Sequence, residues 1–443
     1  MSRPVIDLPS RLLLNLAPWR NAATWRIAFS GGLDSTVLLH LLARLAKTES
    51  LPALSSIHVH HGLQAVADAW PEHCRSVCES LGVPLQVIRV RVQPGASLER
   101  AARDARYAAF SEAIQGNEVL LTAQHRDDQA ETLLFRLLRG AGVRGLSGMP
   151  RQRPLGKGHL LRPLLEVTRA ELEAYASEHK LSWIEDPSNQ DRQFSRNYLR
   201  HQVLPTLTQR WPQALATMAR SAAHLSEAQA LLDDLAQIDL SQASTPSDFD
   251  WLGLPSLELA PLEKLSAARQ RNALSHWLEP LTRLPDSDHW SGWLDLRDAT
   301  GDARPIWRLA DGELHRAGGR IWWLSGAWLR AVPAPGAWLE PAQPLALPDN
   351  GVLTLSGGQF PTGTLQIRYR EGGEVMDLPG RGHRDLKRLL NESAVPLFVR
   401  GRLPLLYKGE QLLAVANLSG LDGKARGDWH LHWQTPGEDQ GLS

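Results

Sequence analysis

Short apolar runs alternate with amphipathic stretches through the first half of the chain. "RIAFS" ends at Ser30 and is followed by a helical pattern over Leu33–Ala46, and "LSSIHVHHGL" reads as a strand running into a polar loop. Helical spacing over Ala69–Leu81 leads to the strand "PLQVIRVRV", and "SLERAARDARYAAFSEAI" is helical again. "EVLLTAQ" is the next buried strand and "DDQAETLLFRLLRG" the next helix. Strands alternating with helices predict an α/β fold with a parallel sheet covered on both faces. Ligands of such sheets sit beyond the carboxyl ends of the strands. Ser30, His60 and Gln124 each lie just past such an end.

The pattern then changes. From about Pro205 to Leu235 it is helical and amphipathic, and "DARPIWRLADGELHRAGGRIWWLS" alternates between Asp-Gly and Gly-Gly turns, as β-hairpins do. "AVPAPGAWLEPAQPLALPDNG" is a proline-rich linker that cannot be regular throughout. A small α+β unit follows from about Gly351. The 443 residues have room for two or three domains. Three fit best: 1–215, a mixed helical and β-hairpin middle domain over 216–330, and a C-terminal domain over 351–443 reached through the linker at 331–350.

Composition adds bounds. Apolar residues at 43% and charged residues at 22% are ordinary for a soluble globular protein, and no apolar run reaches the length of a membrane span. "RLLLNLAPWRNAATW" reads as an amphipathic helix, too short in its apolar centre for a secretory signal. The two cysteines, Cys74 and Cys78, stand one helical turn apart and read as small core residues, so a cytoplasmic location is expected. The 48 basic and 48 acidic side chains cancel, so global charge does not announce a nucleic-acid partner. Local charge says more. Arg126, Arg136, Arg139, Arg144, Arg151, Arg153, Lys157 and Arg162 face only Asp127, Asp128 and Glu131, and a second basic excess runs from Arg368 to Lys408. Such patches meet phosphate backbones, or are simply solvated faces.

The chemistry concentrates in two stretches. Ser30-Gly31-Gly32-Leu33-Asp34-Ser35 joins a strand to a helix start, where free amides and the helix dipole favour an anion and glycines let backbone approach closely. It lacks the lysine of a P-loop, which serves β/γ-phosphate chemistry. "LSGGQ" at Leu355–Gln359 matches an ABC-transporter string, but no G-x-x-x-x-G-K-[ST] accompanies it, so a hairpin turn before "TLQIRYR" is expected there. In the second stretch, Asp127, Asp128 and Glu131 cluster at a helix start. Helix-dipole stabilisation accounts for such acids singly. Three together suit Mg²⁺ binding or deprotonation of an amine. His58, His60 and His61 have no matching acid or cysteine spacing, and "EDPSN" is turn chemistry first.

The S-G-G-x-D-S string resembles the PP-loop of the N-type ATP pyrophosphatases, which split ATP between its α and β phosphates. "LLTAQHRDDQAETLLFRLLRGAGVRGLSGM" closely resembles a segment of the tRNA(Ile)-lysidine synthases within that superfamily. The likeness extends to "HVHHGL", "SLERAARDARYAAF", "WIEDPSNQDRQFSRNYLRHQVLP" and "REGGEVMDLPGRGHRDLKRLLNESAVPLFVRGRLPLLYKGEQLLAVANL". One departure is Gln124-His125, where the family often has two histidines.

The resemblance implies a PP-loop ATP pyrophosphatase catalytic domain over 1–215 and a tRNA-binding domain over 351–443. It implies ATP and Mg²⁺, free L-lysine, and an isoleucine tRNA with cytidine at position 34, with no membrane and with homodimerisation left open. Adenylation of the cytidine would precede attack of lysine at C2. ATP would contact Ser30, Gly31, Gly32, Leu33, Asp34, Ser35 and His125, and Asp34 and Asp127 are the candidate magnesium ligands. Catalytic candidates are Asp34, Asp127, Asp128, Glu131, Arg103 and Arg106, the acids unranked as base. Arg136, Arg139, Arg144, Arg196, Arg200, Arg381, Arg384, Lys387 and Arg388 are the tRNA candidates. A PP-loop tRNA thiolase, an amidotransferase-type synthetase and a non-catalytic tRNA binder are the alternatives.

Overall fold

The computed structural model describes residues 7–62, 65–92, 98–286, 288–300, 303–378, 380–423 and 427–437. Leu63 of "HVHHGL" and Ser97 of the "SLERA" segment lie outside them. The chain forms two compact units, one ending at Ala230 and one beginning at Leu231.

The first unit is the alternating α/β fold that the periodicity predicts. Its elements run α1 (Leu8–Leu16), β1 (Thr24–Ala28), α2 (Leu33–Leu45), β2 (Ala53–His60), α3 (Trp70–Leu81), β3 (Leu85–Arg89), α4 (Leu98–Ala113), β4 (Glu118–Leu121) and α5 (Arg126–Leu137). Next come α6 (Val143–Leu146), β5 (Gln152–Leu155), β6 (Gly158–Leu161), α7 (Arg169–Glu178) and α8 (Ser195–Tyr198), and then a π turn over Leu199–Val203. The helices α9 (Leu204–Arg210) and α10 (Ala214–Ala243) follow.

The strand order is β3-β2-β1-β4-β6-β5. All neighbours are parallel except the β5–β6 edge pair. Chain order reverses between β1 and β4, so the crevice past their carboxyl ends is the switch point where open sheets bind ligands. β1 feeds it Ser30, and β4 feeds it Gln124 and His125.

Both faces are covered. On one, Trp25, Ile27 and Leu121 pack with Val37, Leu38 and Leu42 of α2, Cys74 and Cys78 of α3, and Leu172 of α7. On the other, Ile57, Leu120 and Leu160 pack with Ala109, Phe110 and Ile114 of the α4 region. Each such aliphatic side chain contributes about 1.5–3 kcal/mol when fully buried. α2 is apolar well beyond one stripe because it lies between the sheet and α7.

In the second unit, β7 (Ser256–Glu258), β8 (Ile306–Arg308), β9 (Gly312–Ala317) and β10 (Arg320–Ser325) form an antiparallel sheet ordered β7-β10-β9-β8. The helices α11 (Leu259–Glu263), α12 (Ala267–Leu278) and α13 (Ser291–Asp298) share its core. The remaining strands are β11 (Ala337–Trp338), β12 (Leu345–Ala346), β13 (Val352–Gly357), β14 (Leu365–Arg368), β15 (Val375–Leu378), β16 (Gly382–Asp385), β17 (Leu405–Lys408), β18 (Gln411–Val415) and β19 (Trp429–Gln434). They form a six-stranded sheet, β11-β14-β17-β18-β15-β16, and a three-stranded sheet, β12-β13-β19. With α14 (Leu386–Glu392) and α15 (Leu397–Arg400) they make the α+β unit.

The proline-rich stretch supplies β11 and β12, and its Trp338 and Leu347 are buried in that core. The hairpin expected around "LSGGQ" does not form. β13 pairs with β12 and β19, whereas β14 pairs with β11 and β17, so the intervening loop crosses between sheets. Alternation marks a strand but does not name its partner. Among the described residues no helix is long and apolar enough to cross a membrane.

Candidate active site

The S-G-G-x-D-S loop folds on itself before it could meet any ligand. Gly31 has φ +85°, and a Cβ there would stand 2.5 Å from Cδ1 of Ile184. The backbone amide of Ile184 donates to Gly31 O at 2.8 Å, so the "WIEDPSN" segment closes over the turn. Ser30 Oγ and Ser35 Oγ are 3.0 Å apart, and Gly32 N donates to Ser30 Oγ at 3.3 Å. Gly32 is the N-cap of α2 with no side-chain cap, so first-turn amides are left to an external acceptor.

Asp34, in that first turn, faces Arg169 of α7. The Arg169 Nη1 donates to Oδ1 at 2.9 Å and to Oδ2 at 3.0 Å. Burial raises the Asp34 carboxyl above its ordinary pKa, with His125 and Arg169 pulling the other way. His125 itself is buried, and its Nε2 lies 3.8 Å from Asp34 Oδ1 while its Nδ1 lies 3.7 Å from Asp127 Oδ2. Among the described residues that Nδ1 has no hydrogen-bond partner.

The three acids of α5 have three different settings. Asp127 accepts the backbone amide of Arg169 on Oδ2 at 2.9 Å, and its Oδ1 takes no hydrogen bond among the described residues. Asp128 accepts His125 N at 3.0 Å and Arg200 Nη2 at 3.0 Å. Glu131 is buried and gripped by Arg200, through Nε at 2.5 Å and Nη2 at 2.9 Å. Burial raises the Glu131 carboxyl and Arg200 opposes it. Although burial disfavours its charge, Arg200 is held above the ordinary arginine value by Glu131 and Asp128. Arg200, read from sequence as an RNA contact, is thus turned onto the acids.

A second cluster carries the opposite charge. Arg103 and Arg153 lie over the Tyr107 ring, 4.7 and 5.0 Å from its centre. Burial disfavours ionisation of the Tyr107 phenol, yet Arg103, Arg162 and Arg106 hold its pKa below the usual value. Burial lowers Arg106 and Arg162, and Arg103 lowers each further. Among the described residues no carboxylate pairs with Arg106. Arg162 follows β6 at the same carboxyl edge of the sheet as the PP-loop.

The other candidates are dispersed. Arg136 points inward, donating to Gly145 O at 2.7 Å and Gly148 O at 2.9 Å. Arg144 is on α6, and Arg139 and Arg196 both lie over the Phe135 ring. Arg381, Arg384, Lys387 and Arg388 are exposed around β16 and α14 of the second unit. His58 bonds Phe29 O at 2.9 Å and His60 approaches Asp68, both structural contacts. Cys74 is buried beside His58, and burial pushes its thiol up to about 12. Sequence reasoning missed Arg169 and Tyr107. The capping box Thr168–Glu171 signals a helix start at Arg169, but nothing local points to Asp34.

Among the described residues no group of three or more His, Cys, Asp or Glu side chains is arranged to hold a metal alone. Mg²⁺ asks for less: one or two carboxylates beside phosphate and water oxygens. Asp34 and Asp127, oxygen-only donors on either side of His125, fit that requirement.

A parallel sheet whose switch point holds this loop, with buried acids opposite, defines a PP-loop domain that uses ATP. A family model for the PP-loop domain matches residues 8–207. The models for the TilS substrate binding domain and the TilS substrate C-terminal domain match residues 257–322 and 365–433. The tRNA(Ile)-lysidine synthase of Pseudomonas fluorescens (strain Pf0-1) is 76% identical over 442 residues, 100% of each chain. The enzyme of that name from Pseudomonas aeruginosa is 63% identical, covering 99% of this chain and 100% of its own. That from Escherichia coli O157:H7 is 41% identical, covering 88% and 91%. The chain belongs to the tRNA(Ile)-lysidine synthase family.

Proposed function

We propose that this chain joins free L-lysine to C2 of cytidine 34 of an isoleucine tRNA, converting ATP to AMP and pyrophosphate. The observation that carries the reading is the loop closed under Ile184, with the first turn of α2 left without a side-chain cap and the Ser30 and Ser35 hydroxyls 3.0 Å apart beside it. In the first step the cytosine C2 oxygen attacks the α-phosphorus, and the bond to the β-phosphate breaks. The departing pyrophosphate is held by the amides of Gly31–Ser35 and by Ser30 and Ser35. Arg103 and Arg106 stabilise charge on the α-phosphate, and Arg162 adds positive charge to the same cluster. Asp34 and Asp127 would hold magnesium, which supplies charge neutralisation at phosphate oxygens.

In the second step the ε-amine attacks C2, and the C2–O bond breaks as AMP leaves. Free lysine has a side-chain pKa of about 10.4, so its ammonium must lose a proton in the site. Glu131 is saturated by Arg200, and Asp128 is shared between Arg200 and His125 N. Asp127 retains an unengaged Oδ1 and is our choice of base. Exposed Arg381, Arg384, Lys387 and Arg388 are proposed to hold tRNA backbone.

Labelled lysine, ATP and the tRNA with cytidine at position 34 test this. Lysine incorporation with stoichiometric AMP and pyrophosphate is expected. Formation of ADP, or pyrophosphate release without any lysine transfer, overturns it.

A further inference from the structure

A cleft of ≈ 560 Å³ opens in the first unit between the end of α5 and the segment through α8 and the π turn. Its walls are apolar and aromatic: Phe135, Leu138, Tyr198, Leu199 and Val203. Tyr198 is 51% exposed and Leu138 68% exposed, and both line this one cleft. Arg139 and Arg192 stand among the lining residues, and no carboxylate does. Arg139 and Arg196 carry their guanidinium groups 5.2 and 5.8 Å from the centre of the Phe135 ring. Gln193 and Ser195 also line the cleft, and among the described residues their side chains make no hydrogen bond.

This is the chemistry of a site for one unstacked nucleobase. Aromatic and guanidinium planes stack any base, free amide and hydroxyl groups read its edge, and arginines meet its phosphate. Its place in the fold supports that choice of ligand. Phe135 lies one helical turn beyond Glu131 on α5, roughly 6 Å along the axis, and Arg139 stands just past the end of that helix. Across the cleft, Tyr198 and Leu199 precede Arg200, which clamps Glu131. The cleft therefore continues the same two elements that form the acid cluster.

We propose that the cleft binds a splayed-out base of the tRNA anticodon loop adjacent to cytidine 34, stacked against Tyr198. The inference rests on the tRNA reading above and adds the subsite that holds a neighbour while the target base is processed.

Binding of full-length protein to the tRNA, without ATP or lysine, tests it. The RNAs are the intact molecule and a series with one abasic position at each anticodon-loop nucleotide other than 34. Tyr198→Ala should weaken binding of intact tRNA about fivefold to a hundredfold, the range measured for one stacked base. One abasic position next to 34 should cost the unaltered protein a similar factor, and Tyr198→Ala should add nothing to that loss. Tyr198→Phe should restore binding. Losses that multiply at every abasic position, or no loss with Tyr198→Ala, overturn the proposal. The paired variant Gln193→Ala with Ser195→Ala, both exposed, gives an independent reading that does not touch packing. Its loss should vanish at the same abasic position, and an even loss across the series refutes the site. Because the assay needs no chemistry, failed lysine transfer leaves this result standing, and failure here leaves the ligation reading standing.

Discussion

Replacing Arg169 with methionine tests whether that side chain sets the ionisation of Asp34. The guanidinium touches both carboxylate oxygens, at 2.9 and 3.0 Å. The Asp34 side chain is 29% exposed and that of Arg169 is 40% exposed, so solvent screens the pair. A hydrogen bond to a charged group contributes about 1.5–3 kcal/mol when sheltered, and screening at this exposure brings it to about 1 kcal/mol. The sign follows from the setting. Burial already raises the Asp34 carboxyl above 3.8, and Arg169 is among the charges that oppose the rise. Removing it raises the pKa further, so more of Asp34 is protonated at any given acidic pH. If adenylation needs the carboxylate, the acid limb of the pH–rate profile moves to higher pH in R169M. On that limb the rate falls about fivefold, the factor that ~1 kcal/mol represents, while at alkaline pH the variant recovers. The assay is pyrophosphate release with saturating tRNA across pH. A loss of the same size at every pH would show that Arg169 acts otherwise and would refute the reasoning.

Asp127→Asn leaves an amide oxygen and Asp34 for magnesium but no base, so lysine transfer should fall much further than pyrophosphate release and adenylated tRNA should accumulate; equal loss of both steps would remove Asp127 as the base. Gly31→Ala forces a side chain into φ +85° and against Ile184. A cost of about 1–3 kcal/mol, read by urea unfolding, is expected together with lost ATP binding. Changing both Cys74 and Cys78 to alanine should leave turnover within a few fold, because the buried Cys74 thiol with its pKa near 12 supplies no thiolate at neutral pH; abolished turnover in a folded variant would favour thiolase-type chemistry. Arg384→Ala with Lys387→Ala should weaken tRNA binding and flatten its dependence on log salt by about one to two units, and an unchanged slope would remove that surface from tRNA binding.

Local features were readable in the sequence and distant pairings were not. The alternation that predicts β1, α2, β2 and α3 is a property of adjacent residues, whereas the tight space at Gly31 comes from Ile184, far along the chain. The register of the sheet is not local: β1 lies between β2 and β4, and β6 beyond β4 lies against β5. Nor are the partners of the charged side chains. Arg169 reaches Asp34 across 135 positions and Arg200 reaches Glu131 across 69. A pattern of charges along a helix shows that an arginine is present, not which carboxylate it meets. Hence Arg200 reads as an RNA contact from sequence while the fold aims it at acids. The same holds for "LSGGQ", where two strands consistent with a hairpin belong to different sheets.

The charge pattern of the first unit bears on how a chain of zero net charge would serve the two proposed substrates, which are of opposite sign. Asp34, Asp127 and Asp128 lie around His125, and these three acids with Glu131 meet, among the described residues, two guanidinium groups, those of Arg169 and Arg200. Ionised, the four carboxylates leave an uncompensated negative charge, which favours an ammonium. Around Tyr107 the imbalance is reversed, since Arg103, Arg106, Arg153 and Arg162 act on one phenol. Burial lowers the pKa of Arg106 and Arg162, so a phosphate placed there relieves a cost that the free protein carries. Neither cluster would work merged with the other, because their charges would neutralise internally and bind nothing. The fold builds them on different elements, the acids on α2 and α5 and the arginines on α4, β5 and the end of β6.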